Sequence, residues 1–180
     1  GAAESGDVRI GDSVAVFGQG PIGLCATQGA KLLGAARLIV VEPLESRREV
    51  AKRFGATHAI PPGGDLVGRI WELTGGRGVD VAIEAIGLQE TFESALRVTR
   101  RGGTVSSVGV SYGHVRLPEN ASVQGFPEVN IARVQAPSGR DRMTRLMRMV
   151  EAQRIDLTPL ITHRFPFERI QEAYELFGNR

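Results

Sequence analysis

Residues Ser13 to Gly23 read Ser-Val-Ala-Val-Phe-Gly-Gln-Gly-Pro-Ile-Gly, and no other stretch restricts the fold as tightly. Val14 to Phe17 is almost wholly apolar, the pattern of a short parallel strand buried on both faces. Gly18, Gly20 and Gly23 follow with the G-x-G-x-x-G spacing, which predicts a tight turn into a helix. In such a turn Gly18 permits the reversal, Gly20 lacks the side chain that would block a pyrophosphate, and Gly23 lets the helix lie close on the sheet. Gln19, Pro21 and Ile22 complete the turn and join the three glycines as candidate ligand contacts. The helix then presents unpaired N–H groups and the positive end of its dipole to any phosphate placed there. Glycine-rich turns are common, so the triplet needs its surroundings to carry weight.

The surroundings repeat one theme. After the turn, Ile22, Cys25, Ala26, Gly29, Ala30 and Leu33 predict a helix with one apolar face of small residues, closed by Gly34. Cys25 on that face reads as a small core residue. Arg37 to Val41 is a second strand, and Glu42 stands at its end, nineteen positions after Gly23. An acid at that distance can accept hydrogen bonds from both hydroxyls of an adenosine ribose; an ordinary strand-end carboxylate is the alternative. A helix over Ser46 to Phe54 buries Ala51 and Phe54, a brief strand covers His58 to Ile60, and Asp65 is placed to cap a helix over Leu66 to Thr74. Val79 to Ile86 is a fourth strand. Leu88, Phe92, Ala95 and Leu96 mark the apolar face of the next helix, Gly102-Gly103 breaks it, and Thr104 to Val108 is a fifth strand. Strands alternating with helices predict a mostly parallel α/β sheet. Right-handed crossovers bring Gly18, Glu42, Gly87 and Gly109 to one edge, where a ligand should lie.

The remainder is less regular. Tyr112 to Pro127 reads as a loop, Asn130 to Gln135 as a sixth strand, and Met143, Leu146, Met147 and Val150 as the core face of a helix. Leu157 to Phe165 reads as extended, and Pro166 precedes a helix striped with Phe167, Ile170, Tyr174 and Phe177. Three parts are expected: a polar, turn-like lead-in over residues 1–11, a nucleotide-binding domain over 12–154, and a C-terminal strand-helix segment over 155–180. The 180 residues suffice for one well-buried core. A net charge of +2, with arginines scattered rather than gathered, disfavours nucleic acid as a partner. The single cysteine rules out an internal disulfide and fits a reducing cytoplasm. No apolar run approaches the about twenty residues of a membrane span, and no signal peptide is recognisable.

Taken in order, Val-Ala-Val-Phe-Gly-Gln-Gly-Pro-Ile-Gly-Leu, Val-Val-Glu-Pro, Phe-Gly-Ala-Thr, Gly-Gly-Arg-Gly-Val-Asp, Arg-Arg-Gly-Gly-Thr-Val and Ile-Thr-His-Arg-Phe-Pro-Phe closely resemble the zinc-dependent medium-chain alcohol dehydrogenases. The resemblance covers only that family's cofactor-binding domain and the segment returning toward its catalytic domain. It implies a doubly wound Rossmann sheet of about six strands with an NAD(P) site, and the carboxylate of Glu42 favours NAD, with NADP less favoured. Gly18, Gly20 and Gly23 would lie at the pyrophosphate, Glu42 at the ribose and Arg47 at the adenosine end. Ile86 and Val108-Gly109-Val110 match positions lining the nicotinamide. The implied reaction is hydride transfer between an alcohol or carbonyl and the nicotinamide.

The departure from the family pattern is equally specific. The family holds its catalytic zinc with a cysteine, a histidine and an acid, mostly in an N-terminal domain that has no counterpart here. His58, His114 and His163 are too widely spaced to form a recognisable ligand set, so no metal and no catalytic residue are expected in this chain. It reads as a domain fragment, inactive alone. A zinc-free quinone or enone reductase relative and a non-enzymatic dinucleotide-sensing module are the rival readings. Pairing of copies through the edge near residues 130–135 is expected from the resemblance and from the exposure of an edge strand.

Overall fold

The computed structural model describes residues 1–110, 115–117, 126–133 and 138–178. A short helix α1 (Ala2–Ser5) leads to β1 (Ser13–Phe17), α2 (Pro21–Leu32), β2 (Arg37–Val41), α3 (Glu45–Arg53) and β3 (His58–Ile60). The second half runs α4 (Leu66–Leu73), β4 (Val79–Glu84), α5 (Gln89–Val98), β5 (Thr99–Ser107) and β6 (Asn130–Arg133), followed by α6 (Arg140–Glu151) and α7 (Ile170–Gly178). The six strands form one sheet in the order β3-β2-β1-β4-β5-β6, every pair parallel. That is the Rossmann arrangement, whose strand order reverses between β1 and β4. Every residue of β1 and β4 is buried, which explains the apolar runs Val14–Phe17 and Val81–Ile83, while Asp80 and Glu84 are buried in hydrogen bonds. On one face Phe17, Ile39, Ile70, Phe92, Leu96 and Val105 pack into a core from sheet, α4 and α5.

Several boundaries differ from the sequence reading for local reasons. β4 stops at Glu84 instead of Ile86, because the Glu84 carboxylate captures the next main-chain N–H groups and turns the chain. Gly102-Gly103 lies inside β5, where the pairing slips between Val79↔Thr99 and Val81↔Thr104, so the glycines form an irregularity in a strand rather than a break before one. The lead-in is not merely turn-like. It contains α1, whose Ala3 is buried, and Ser5 and Ala2 bond to Ser106 of β5. Strand β6 is described only to Arg133; residues 134 and 135 lie outside the described residues, as does most of the loop from Tyr112 to Pro127.

The apolar face assigned to α2 is also corrected. Its buried residues are Gly23, Leu24, Ala26, Thr27 and Ala30, whereas Cys25 is exposed. The small residues serve a second neighbour: a methyl built on Gly29 would stand 3.6 Å from the Ala3 side chain of α1. Helix α2 therefore has apolar residues facing two ways, which a single-stripe reading merges.

The chain divides into two compact units, Gly1–Arg142 and Met143–Arg180. Within the second, α7 follows Pro166 and a 3-10 turn at Phe167–Arg169, and another such turn at Thr158–Leu160 interrupts the segment expected to be extended. Met143, Leu146 and Met147 share a face as expected but are exposed, and no residue of α6 or α7 is buried. A unit this short has too little chain to enclose a core. Among the described residues no helix is long and apolar enough to cross a membrane.

Candidate functional site

The carboxyl ends of β1, β2, β4 and β5 converge on one edge of the sheet, and the turn after β1 is its centre. Gly18 has φ +84°, the left-handed region that favours glycine, and its N–H donates to Val41 O of β2 at 2.9 Å. Gly23 is required by closeness: an added methyl would stand 1.8 Å from Gly18 O. The turn and the first coil of α2 are thus pressed together, a nearer constraint than the helix-on-sheet contact expected from the motif. Gly20 is the opposite case. Nothing lies within 4 Å of where its side chain would be, so open space stands over the N-cap of α2. Pro21 fills the first helical position, and the N–H groups of Ile22 and Gly23 precede the first ladder bond, from Leu24 N to Gly20 O at 2.9 Å. An anion seated over Gly20 meets those donors and the helix dipole.

Gln19 does not join this surface. Its side chain is wholly buried, donating from Nε2 to Gly18 O at 2.9 Å and accepting from Thr27 Oγ1 at 3.0 Å. The reversal at Gly18 leaves a carbonyl facing inward, and the Gln19 amide satisfies it. The side chain braces the turn from beneath.

Glu42 lies where the spacing predicts, against the glycine turn. Its Oε2 accepts from Gln19 N at 2.8 Å and its Oε1 from Leu44 N at 3.1 Å, and the residue is 2% exposed. A carboxylate offers about four acceptor positions, so two remain beyond these bonds. Arg47 Nη1 stands 4.0 Å from Oε2. Arg48 is committed elsewhere, donating to the carbonyls of Glu42 and Pro43 at 2.8 and 2.6 Å. Glu42 therefore does two things at once: it ties β2 to the glycine turn and it holds an acid beside that turn.

On the other flank a cavity of about 850 Å³ is lined by Pro21, Ile22, Cys25, Val108, Gly109 and Val110, together with α1. The structure thus gathers five of the sequence-predicted contacts into one wall. Ile86 sits apart from that wall and against the turn: a methyl on Gly18 would stand 2.5 Å from Ile86 Cγ1. Thr27 and Glu84 are site-building residues that the sequence reading missed. Glu84 had a visible signal, an acid set between the apolar Val81-Ala82-Ile83 and Ala85-Ile86 just before Gly87, while Thr27 had none.

Among the described residues no group of three or more histidine, cysteine, aspartate or glutamate side chains is placed to hold a metal ion. His58 bonds to Thr57 Oγ1 at 2.9 Å, His163 stacks on Phe165, and His114 lies outside the described residues. The described residues do not fit a catalytic zinc.

The model of a family described as zinc-binding dehydrogenase matches residues 21–152. The chain belongs to that family. Among curated proteins, an alcohol dehydrogenase of Cupriavidus necator is 45% identical over 179 residues, 99% of this chain and 49% of that protein. An NADP-dependent isopropanol dehydrogenase of Thermoanaerobacter brockii is 37% identical over 182 residues, 99% of this chain and 52% of that protein. Solved structures of alcohol dehydrogenases resemble this chain as well. Zinc-dependent alcohol dehydrogenase 2 from Streptococcus pneumonia superposes with a TM-score of 0.90 at 34% identity, over 98% of this chain and 51% of that one. Alcohol dehydrogenase TADH from Thermus sp. ATN1 gives 0.86 at 30% identity, over 99% and 52%. The chain spans about half the length of the curated relatives it matches.

Proposed function

We propose that these residues form the NAD-binding half of an alcohol dehydrogenase, in which hydride passes between an alcohol or carbonyl carbon and the nicotinamide. The observation that carries this reading is the open space over Gly20 at the start of α2, bounded by Glu42 on one side and Val108-Gly109-Val110 on the other. When bound, NAD supplies the hydride acceptor. The chain's own residues would supply its seat: Gly20, Pro21, Ile22 and Gly23 would hold the pyrophosphate, Glu42 would accept from the ribose hydroxyls, and Arg47 would stand at the adenosine end. Gly18 and Gln19 shape the turn, Ile86 supports it, and Val108, Gly109 and Val110 face the nicotinamide. Among the described residues no ligand set for a catalytic zinc is supplied. Strand β6 is the sheet's edge and carries a 42% exposed Ile131, which supports pairing of two copies there. A cytoplasmic setting accords with the single cysteine.

NAD is favoured over NADP by charge. A 2′-phosphate about 4 Å from Glu42 meets a repulsion of up to about 4 kcal/mol at an effective dielectric near 20. Two arginines stand nearby, Arg47 4.0 Å from Glu42 Oε2 and Arg48 held on main-chain carbonyls with its charge intact, and they offset part of that repulsion. After screening, a preference for NAD of about tenfold or more is expected, equivalent to about 1.4 kcal/mol. Titration of both cofactors into the parent chain and Glu42→Ser tests this, with the gap narrowing in the variant. Equal binding by the parent removes Glu42 from the ribose.

A further inference from the structure

A second buried acid stands at the same edge with no task in the ribose reading. Glu84 ends β4 and is 1% exposed. Its Oε1 accepts three hydrogen bonds, from Ile86 N and Gly87 N at 2.8 Å each and from Thr91 Oγ1 at 2.9 Å. Its main-chain oxygen accepts from Val108 N at 2.9 Å and Gly109 N at 3.0 Å. The two turns it serves are in direct contact. A methyl built on Gly109 would stand 2.2 Å from Gly87 N and 2.7 Å from Glu84 Oε2. On its other side the same turn touches the glycine loop through Ile86 and Gly18. One side chain therefore sets the turn between the glycine loop and the Val108–Val110 wall.

We infer that Glu84 is a positioning residue for the nicotinamide end of the site, acting through Ile86, Gly87 and the Val108-Gly109 turn. The inference rests on the dinucleotide reading above. An apolar side chain would fill the strand end without the desolvation that a carboxylate suffers, so the acid is explained by its bonds. Two main-chain donors converge on one oxygen with the Thr91 hydroxyl, whose single hydrogen is shared with Leu88 O at 3.0 Å, and a charged acceptor holds them more strongly than a neutral amide oxygen. Glu42 plays the matching part for the adenosine end through Gln19 N, so the two ends are fixed by different acids.

The separation of the two ends gives the test. ADP-ribose and NADH are titrated into the parent chain, Glu84→Gln and Thr91→Val, with bound-NADH fluorescence as a second readout. Glu84→Gln keeps the side chain's shape and is expected to bind ADP-ribose within about twofold of the parent and NADH about tenfold more weakly, with a smaller fluorescence gain on binding. Thr91→Val removes one of the three donors and is expected to weaken NADH about threefold, again sparing ADP-ribose. Equal weakening of both ligands, or no change in either, overturns the inference. If Glu84→Gln fails to fold, the partly exposed Thr91→Val decides alone by the same pair of titrations. A parent that binds neither ligand overturns the dinucleotide reading instead, and this inference with it.

Discussion

Strand β4 begins at Val79 and ends at Glu84, and its two ends are closed by different chemistry. Near its start Asp80 accepts from Ser13 N at 2.8 Å and Ser13 Oγ at 2.7 Å while pairing with Arg77 at 2.5 Å and Arg100 at 2.7 Å. At its end Glu84 is held by main-chain N–H groups and a hydroxyl, as Glu42 is held by main-chain N–H groups at the end of β2. The starting edge pins β1 to β4 and neutralises its acid with guanidinium groups. The carboxyl edge uses its acids to shape turns and leaves open space and helix donors between them. Both edges contain a buried carboxylate, and among the described residues the carboxyl edge is the one with open space over Gly20. In parallel sheets that division follows from topology, because the crossover helices begin, with their unpaired N–H groups, at the carboxyl ends of the strands.

The sharpest way to break the comparison is to fill the space at the receiving edge. Gly20 has φ −71° and ψ −174°, a conformation open to any residue, and no atom lies near its missing side chain. Gly20→Val is expected to fold, with its thermal midpoint lowered by no more than about 5 °C for a poorer N-cap. Dinucleotide binding is expected to fall by about a hundredfold, close to 2.7 kcal/mol, because the valine occupies the place of a phosphate. Calorimetric titration beside a thermal melt checks both halves, and unimpaired binding would remove the phosphate from that position.

The complementary change at the starting edge should do the reverse. Burial resists ionisation of Asp80, but the bonds from Arg100 and Ser13 and the charge of Arg77 outweigh it and hold the carboxyl below its ordinary range. Because the folded value is the lower one, the stabilisation is fully present above the unfolded value and drains away as pH falls through the folded one. Asp80→Asn is expected to lose about 1–3 kcal/mol at neutral pH, with the difference from the parent shrinking below about pH 4. NADH affinity should stay within about twofold of the parent. Urea unfolding at several pH values reads the first effect. A constant difference down to pH 2.5 would detach it from Asp80 ionisation.

Most of the architecture was legible because it follows from periodicity and punctuation. Apolar runs in β1 and β4, the left-handed glycines that close helices, and the Asp65 cap, which accepts from Gly68 N at 2.8 Å, are local facts that the fold obeys. Glu42 was legible by spacing, since strand, turn and helix have nearly fixed lengths in such a unit. The direction of the Gln19 side chain was not, because it depends on which carbonyl the turn buries. Cys25 was misplaced for a related reason: α2 is apolar toward both the sheet and α1, and one-dimensional spacing cannot separate two partners. The Met143 face was read correctly as a face, but burial belongs to the surroundings and not to the stripe.

Amide chemical shifts of the 180-residue chain, followed as NADH is added, test the central claim most directly. Movement is expected for Gly20, Ile22, Gly23, Val108, Gly109 and Val110, with Ser13 and Asp80 at the opposite edge unmoved. Binding that shifts the Ser13 and Asp80 amides and leaves the first turn of α2 silent would contradict it.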